Sequence, residues 1–203
     1  MTAAIWRRPS ILLAFFAAST SGLAILLYAA RLMTLTYAVW ILAPLTALLF
    51  IALLAATGLN PEDQLVDRLR GGLIAGFIGL VAYDIVRLLI LLAGVPFNPF
   101  RPIEVYGLLI LDRFDDTLLT KSVGWAFHIW NGLSFAAMYT LAVGRGRVLW
   151  GLLWGLTLEV AMLSSYPSIF QLSVNRPFVI VSLTGHFFYG LAIGIAARRF
   201  VRS

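Results

Sequence analysis

The chain contains no cysteine, which excludes disulfides, thiolate metal centres and cysteine nucleophiles. Charge is almost as scarce. Asp, Glu, Lys and Arg make up 12% of its 203 residues, and histidine occurs twice; a soluble domain averages roughly 25% charged residues. Apolar residues take their place, at 61% of the chain with a mean hydropathy of +0.94. That balance excludes a water-soluble globule and predicts an integral membrane protein with the lipid bilayer as its solvent. The net charge of +6 does not argue for nucleic acid. The basic residues stand in scattered pairs at the ends of apolar runs, where membrane proteins use them to fix orientation beside anionic headgroups.

A spanning helix needs about 20 apolar residues to cross roughly 30 Å of hydrocarbon. Six windows qualify: Ile11–Ala30, Thr34–Ala56, Leu73–Ala93, Val123–Val143, Val148–Tyr166 and Phe178–Ala197. The expected fold is therefore all-α, one domain over residues 1–203 built as a bundle of six transmembrane helices, with Pro44 kinking the second. Asn60-Pro61-Glu62-Asp63 ends the second window and opens a short polar helix capped by Asn60. Gly144-Arg145-Gly146-Arg147 reads as a tight turn, and Arg176-Pro177 starts the last span. Arg7-Arg8 before the first run, with Ala17-Ala18-Ser19 inside it, leaves a cleaved signal peptide open. The run continues to Ala30, however, beyond a typical signal core, which favours a retained span.

With six spans, the side carrying both termini holds nine basic residues: Arg7, Arg8, Arg68, Arg70, Arg145, Arg147, Arg198, Arg199 and Arg202. The other side holds five, Arg31, Arg101, Arg113, Lys121 and Arg176. The excess places both termini in the cytoplasm, in a cell inner membrane. The connection from Gly94 to Ser122 then lies outside. Within it Ile103, Tyr106, Ile110 and Phe114 recur at helical spacing, with Glu104, Asp112, Asp115 and Asp116 toward water. Its apolar core, Val105–Leu111, is too short to span, so an amphipathic helix at the outer interface is expected.

Six polar side chains sit inside these apolar windows: Asp84, Arg87, His128, Asn131, Glu159 and His186. Charge at the bilayer centre costs about 2.5–3.5 kcal/mol on insertion scales, and residues kept there usually line a pathway or pair with one another. At about 1.5 Å of rise per residue, all six fall roughly 8–15 Å below the outer interface. Asp84/Arg87 and His128/Asn131 are i,i+3 pairs, each projecting from one helix face. Trp125 and Tyr189 lie three residues from His128 and His186, able to wall the same space. Asp84 and Arg87 alone would make an internal ion pair, and His128 is shallow enough to be interfacial. Small-xxx-small patterns at Gly72/Gly76, Gly132/Ala136, Gly151/Gly155 and Gly190/Gly194 lie mostly in the inner half. They predict tight packing there and an outward-facing polar cleft above.

With neutral histidines, Asp84 and Glu159 against Arg87 leave one negative charge uncompensated, which calls for a proton, a cation or a metal. The leading expectation is binding or translocation of a small solute from the outer side, cationic or proton-coupled. An intramembrane enzyme is the alternative, with acid–base chemistry on a lipid-borne substrate or a divalent metal on His128, His186, Glu159 and Asp84. No HExxH motif supports it. A b-type haem ligated by both histidines ranks lower, because Asp84 and Glu159 would lack a role. A scaffold held among other membrane subunits is the remaining option.

Six spans, an outward pocket and about 200 residues resemble the substrate-binding subunits of energy-coupling-factor importers, and Ala14-xxx-Ala18 resembles the small-residue motif those subunits use for docking. Tyr83-Asp84-Ile85-Val86-Arg87, His128-Ile129-Trp130-Asn131-Gly132 and Gly185-His186-Phe187-Phe188-Tyr189-Gly190 look like segments of bacterial multi-pass proteins without an assigned function. That likeness covers the last four windows and implies no chemistry.

Overall fold

The computed structural model describes residues 8–96, 98–170 and 176–202. Among them there is no strand, and seven helices account for the fold: α1 (Pro9–Ala29), α2 (Leu35–Ala56), α3 (Gln64–Leu92), α4 (Arg101–Leu111), α5 (Leu118–Val143), α6 (Val148–Phe170) and α7 (Arg176–Phe200). Five of them, α1, α2, α3, α6 and α7, are long and apolar enough to cross a membrane. The sixth expected window, Val123–Val143, does not qualify. It lies in α5, which has the length but is diluted by Lys121, His128, Asn131 and several Ser, Thr and Gly residues. Packing explains how such a helix persists. α5 lies against α1, α3 and α4, and its polar positions Thr120, Asn131, Ser134 and Thr140 are buried in protein, so they need not be lipid-compatible.

Local chemistry sets the helix boundaries. Asp63, rather than Asn60, caps α3, its carboxylate accepting from the Leu65 amide at 2.7 Å. The polar stretch after Asn60 is not a separate helix, because Asn60 instead closes a small turn onto the Glu62 amide at 3.0 Å and the chain then runs unbroken to Leu92. Thr117 and Thr120 form a reciprocal capping box at the start of α5, satisfying two otherwise orphaned donors. α2 keeps Pro44 inside it. α4 forms where expected, with Ile103, Tyr106 and Ile110 buried on one face. Phe114 does not join them. The helix ends at Leu111, Asp112 turns left-handed at φ 51°, and Phe114 is fully exposed.

Glycines fix the helix pairs. Gly72 and Gly76 of α3 face Ala137, Thr140, Leu133 and Ala136 of α5, while Asp84 near the other end of α3 meets His128; the two helices are antiparallel. Gly151 and Gly155 of α6 lie backbone to backbone against Gly194 and Gly190 of α7. The start of α1, the α2–α3 and α5–α6 turns and the end of α7 gather at one end. Ile11 clusters there with Leu65 and Leu141, and the Arg202 amide donates to Asp67 at 3.0 Å. At the same end the buried Arg68 guanidinium donates to the Thr140 and Leu141 carbonyls at 3.3 and 2.8 Å, satisfying the last turn of α5. Ala14 and Ala18 are wholly buried in that cluster. Their stripe is consumed inside the chain and presents no docking surface.

Candidate functional site

Toward the opposite end, polar side chains join the contacts between these helices. α3 and α5 meet through Asp84 and His128, whose Nε2 lies 3.2 Å from each carboxylate oxygen of Asp84. Arg87, one turn along α3, approaches the same carboxylate at 3.4 Å and lays its guanidinium against Phe100 and Tyr83, 4.9 and 4.8 Å from the ring centroids. The expected Asp84/Arg87 ion pair therefore exists, with His128 as a third member. Trp125 edges onto His128 at 5.6 Å and lies tilted against Phe100 at 5.9 Å.

α6 and α7 meet through a second group. Glu159 is 1% exposed, and its Oε2 lies 2.7 Å from His186 Nδ1. The same oxygen accepts from Ser182 Oγ at 2.7 Å. His186 Nδ1 is also 3.0 Å from the Ser182 carbonyl, four residues back on its own helix. With a carboxylate and a carbonyl both facing Nδ1, the hydrogen-bond geometry makes that nitrogen the donor. Glu159 Oε1 is buried without a hydrogen-bond partner.

Tyr83 joins the two groups. Its ring centre lies 5.9 Å from His128 and 5.1 Å from His186, and Tyr189 packs edge-on at 6.3 Å. Tyr189 in turn donates to the Gly132 carbonyl at 2.6 Å, tying α7 to α5. Beside this tyrosine is a cavity of about 100 Å³ whose lining includes Tyr83, Arg87, His128, Asn131, Ser182, His186 and Tyr189. Asn131 Oδ1 is a second buried acceptor without a partner. Pro102, Ile103 and Tyr106 of α4 line the same space, so α4 covers the cleft and does not leave it wide open. α4 can lie that close because Gly107 faces the Thr120 backbone and Gly124 faces the Ile103 backbone.

All eight residues singled out from sequence thus lie in one region, and four of them form two carboxylate–histidine pairs, Asp84–His128 and Glu159–His186. That sorting bears on a metal. Among the described residues no three His, Asp or Glu side chains gather to hold an ion, so His128, His186, Glu159 and Asp84 are not one metal centre. Haem fits no better, since both histidines pack on Tyr83 and the cavity has room for several waters or one small solute. Sequence reasoning missed Tyr83, Phe100 and Ser182. Ser182 could have been found from its i,i+4 spacing to His186, and Tyr83 from the same spacing to Arg87.

The chain belongs to a family of unknown function, DUF6789, whose model matches residues 66–203. The match takes in α3 from its first turn through α7, and with them every residue of both carboxylate–histidine pairs; α1 and α2 lie outside it. No curated protein and no solved structure matches the chain, so the likeness to energy-coupling-factor subunits rests on architecture alone.

Proposed function

We propose that the chain is a six-span membrane protein that binds a small cationic solute in the α3–α5–α6–α7 cleft and exchanges it for a proton. α5 is the sixth span in this reading, running beside α3 with its polar face turned into protein. The basic end of the bundle, where α1 begins and α7 ends, faces the cytoplasm by the arginine excess. The cleft then opens toward the outer side beneath α4.

The Glu159–His186 pair carries the proposal. Asp84 is matched by Arg87 within the outer group, which leaves Glu159 as the charge still to be balanced. At 1% exposure a negative charge there is costly unless it is matched. One proton on the pair balances it, and so does one cation at Oε1, the oxygen without a partner. Those two occupants exclude each other, which is the condition for coupling a cation to a counter-moving proton. Asn131, whose Oδ1 has no hydrogen-bond partner, lines the cavity together with Ser182 and His186, the two residues that contact Glu159.

Proteoliposomes enclosing a pH-sensitive dye, given an imposed pH gradient and then a panel of alkali and small organic cations, test this reading. At least one cation should dissipate the gradient in the wild type and fail to do so in Glu159→Gln. Gradients that no cation disturbs, or an unimpaired Gln variant, would overturn the proposal.

A further inference from the structure

A second site lies at the other end of the bundle, where the α5–α6 turn meets the end of α7. Arg145, Gly146, Arg147 and Arg198 surround a shallow depression of about 540 Å³. All three guanidiniums are exposed, none has an acidic partner among the described residues, and no carboxylate lines the depression. Three unpaired cations around one dent repel one another unless an anion sits among them.

The backbone adds to that field. After Gly146 and Arg147 comes the N-terminus of α6, a helix of 23 residues with no acidic side chain in its first turn. The positive end of its dipole and its free amides point toward the turn. A buried hydroxyl lies beneath the turn. Tyr139 is 0% exposed, and its Oη has no hydrogen-bond partner. It lies under the turn, 3.3 Å from where a β-carbon on Gly146 would stand and beside the Val143 and Trp150 side chains, and it does not line the depression itself.

We infer that this depression is a binding site for a phosphate group, held by the Arg145, Arg147 and Arg198 guanidiniums. Guanidinium forks match phosphate oxygens in pairs. Its surroundings favour a phosphate carried by an anionic lipid. Leu149 and Trp150, just after the turn, are more than half exposed, and so is Ile195, three residues before Arg198 on α7. Acyl chains have an apolar wall to follow from the depression into the bilayer, and a free phosphate would not use it. The site is independent of the cleft and stands or falls without the cation-exchange reading.

The experiment is lipid retention and thermal stability of the purified full chain in a neutral detergent. The probes are phosphatidylglycerol, phosphatidylcholine and inorganic phosphate, each added alone. Phosphatidylglycerol should be retained and raise the unfolding midpoint, while phosphatidylcholine, whose headgroup is neutral overall, should do so much less. The triple variant R145Q/R147Q/R198Q should bind phosphatidylglycerol roughly 100-fold more weakly. A charge-matched control, R70Q/R199Q/R202Q, removes three exposed arginines around a different depression at the same end and should lose less than about tenfold. Stabilisation by inorganic phosphate that the R145Q/R147Q/R198Q variant loses would support the site and assign it to the free anion. Equal losses in the two triple variants would reduce the arginines to a general surface field and overturn the inference, as would full retention in R145Q/R147Q/R198Q.

Discussion

Glu159 spends one carboxylate oxygen on Ser182 and His186 and keeps the other unpartnered. Glu159→Ala strips acceptors from two buried groups at once and should lower stability by about 1–3 kcal/mol, read as the midpoint of thermal unfolding in detergent. Glu159→Gln keeps the shape and one oxygen, so it should remain folded and membrane-inserted while losing proton-coupled exchange. A Gln variant as unstable as the Ala variant would show that the ionised carboxylate holds α6 to α7. Tyr189→Phe removes a single bond, from Oη to the Gly132 carbonyl. It should cost about 1 kcal/mol and leave both carboxylate–histidine pairs in place, which the same midpoint will check. These residues were legible in the sequence because charge inside apolar runs is conspicuous. Their sorting into two pairs was not legible, since depth and helical phase give a shared layer but not which helices are neighbours. Tyr83 escaped notice for a related reason: an aromatic in an apolar helix carries no mark of function until two histidines are seen packed against it.

Helix contacts in this chain are decided by where side chains are missing. A β-carbon on Gly155 would stand 2.8 Å from the Gly190 Cα, a backbone neighbour that cannot swing aside. Gly155→Leu should therefore spread α6 from α7, lowering stability by about 1–3 kcal/mol and pulling Glu159 away from His186. Loss of exchange activity together with a lower unfolding midpoint is the expected pair of results. α4 is seated the same way through Gly107 and Gly124. Gly107→Val should lift α4 from the cleft while the rest of the bundle stays folded, and a cysteine placed at buried Ile103 should then become reactive to water-soluble reagents. Unchanged reactivity at position 103 would mean that α4 stays in place by other contacts. The glycine pairs were visible as small-xxx-small spacing, and the spacing put them in the tight half of the bundle. The helix boundaries were less legible, because Asn60 and Asp63 are both good caps and only local geometry chooses between them. α5 shows the limit of hydropathy most clearly: a helix packed against α1, α3 and α4 is free to be polar on its buried face, so composition alone does not say that it belongs inside the bundle.

Taken whole, the bundle has an arginine-rich end closed by glycine packing and an opposite end where the polar groups meet under α4. The absence of cysteine makes orientation directly measurable, since any introduced thiol is the only one. Cysteines placed at Ser203 and at fully exposed Phe114 should label from opposite sides of the membrane, with position 203 reached from the cytoplasm. Labelling of both from one side would refute the orientation. The deeper claim is that the cleft is hydrated and negative, a property that a dry structural ion pair would lack. Met162 lines the cavity and belongs to neither carboxylate–histidine pair, so a thiol there reports on the space. The most direct measurement is the rate at which Met162→Cys, in the membrane, reacts with a cationic and an anionic methanethiosulfonate of similar size added on the α4 side. A hydrated cation site predicts reaction with both reagents and a clear excess rate for the cationic one, an excess that Glu159→Gln reduces. No reaction with either reagent, or equal rates for the two, would contradict it.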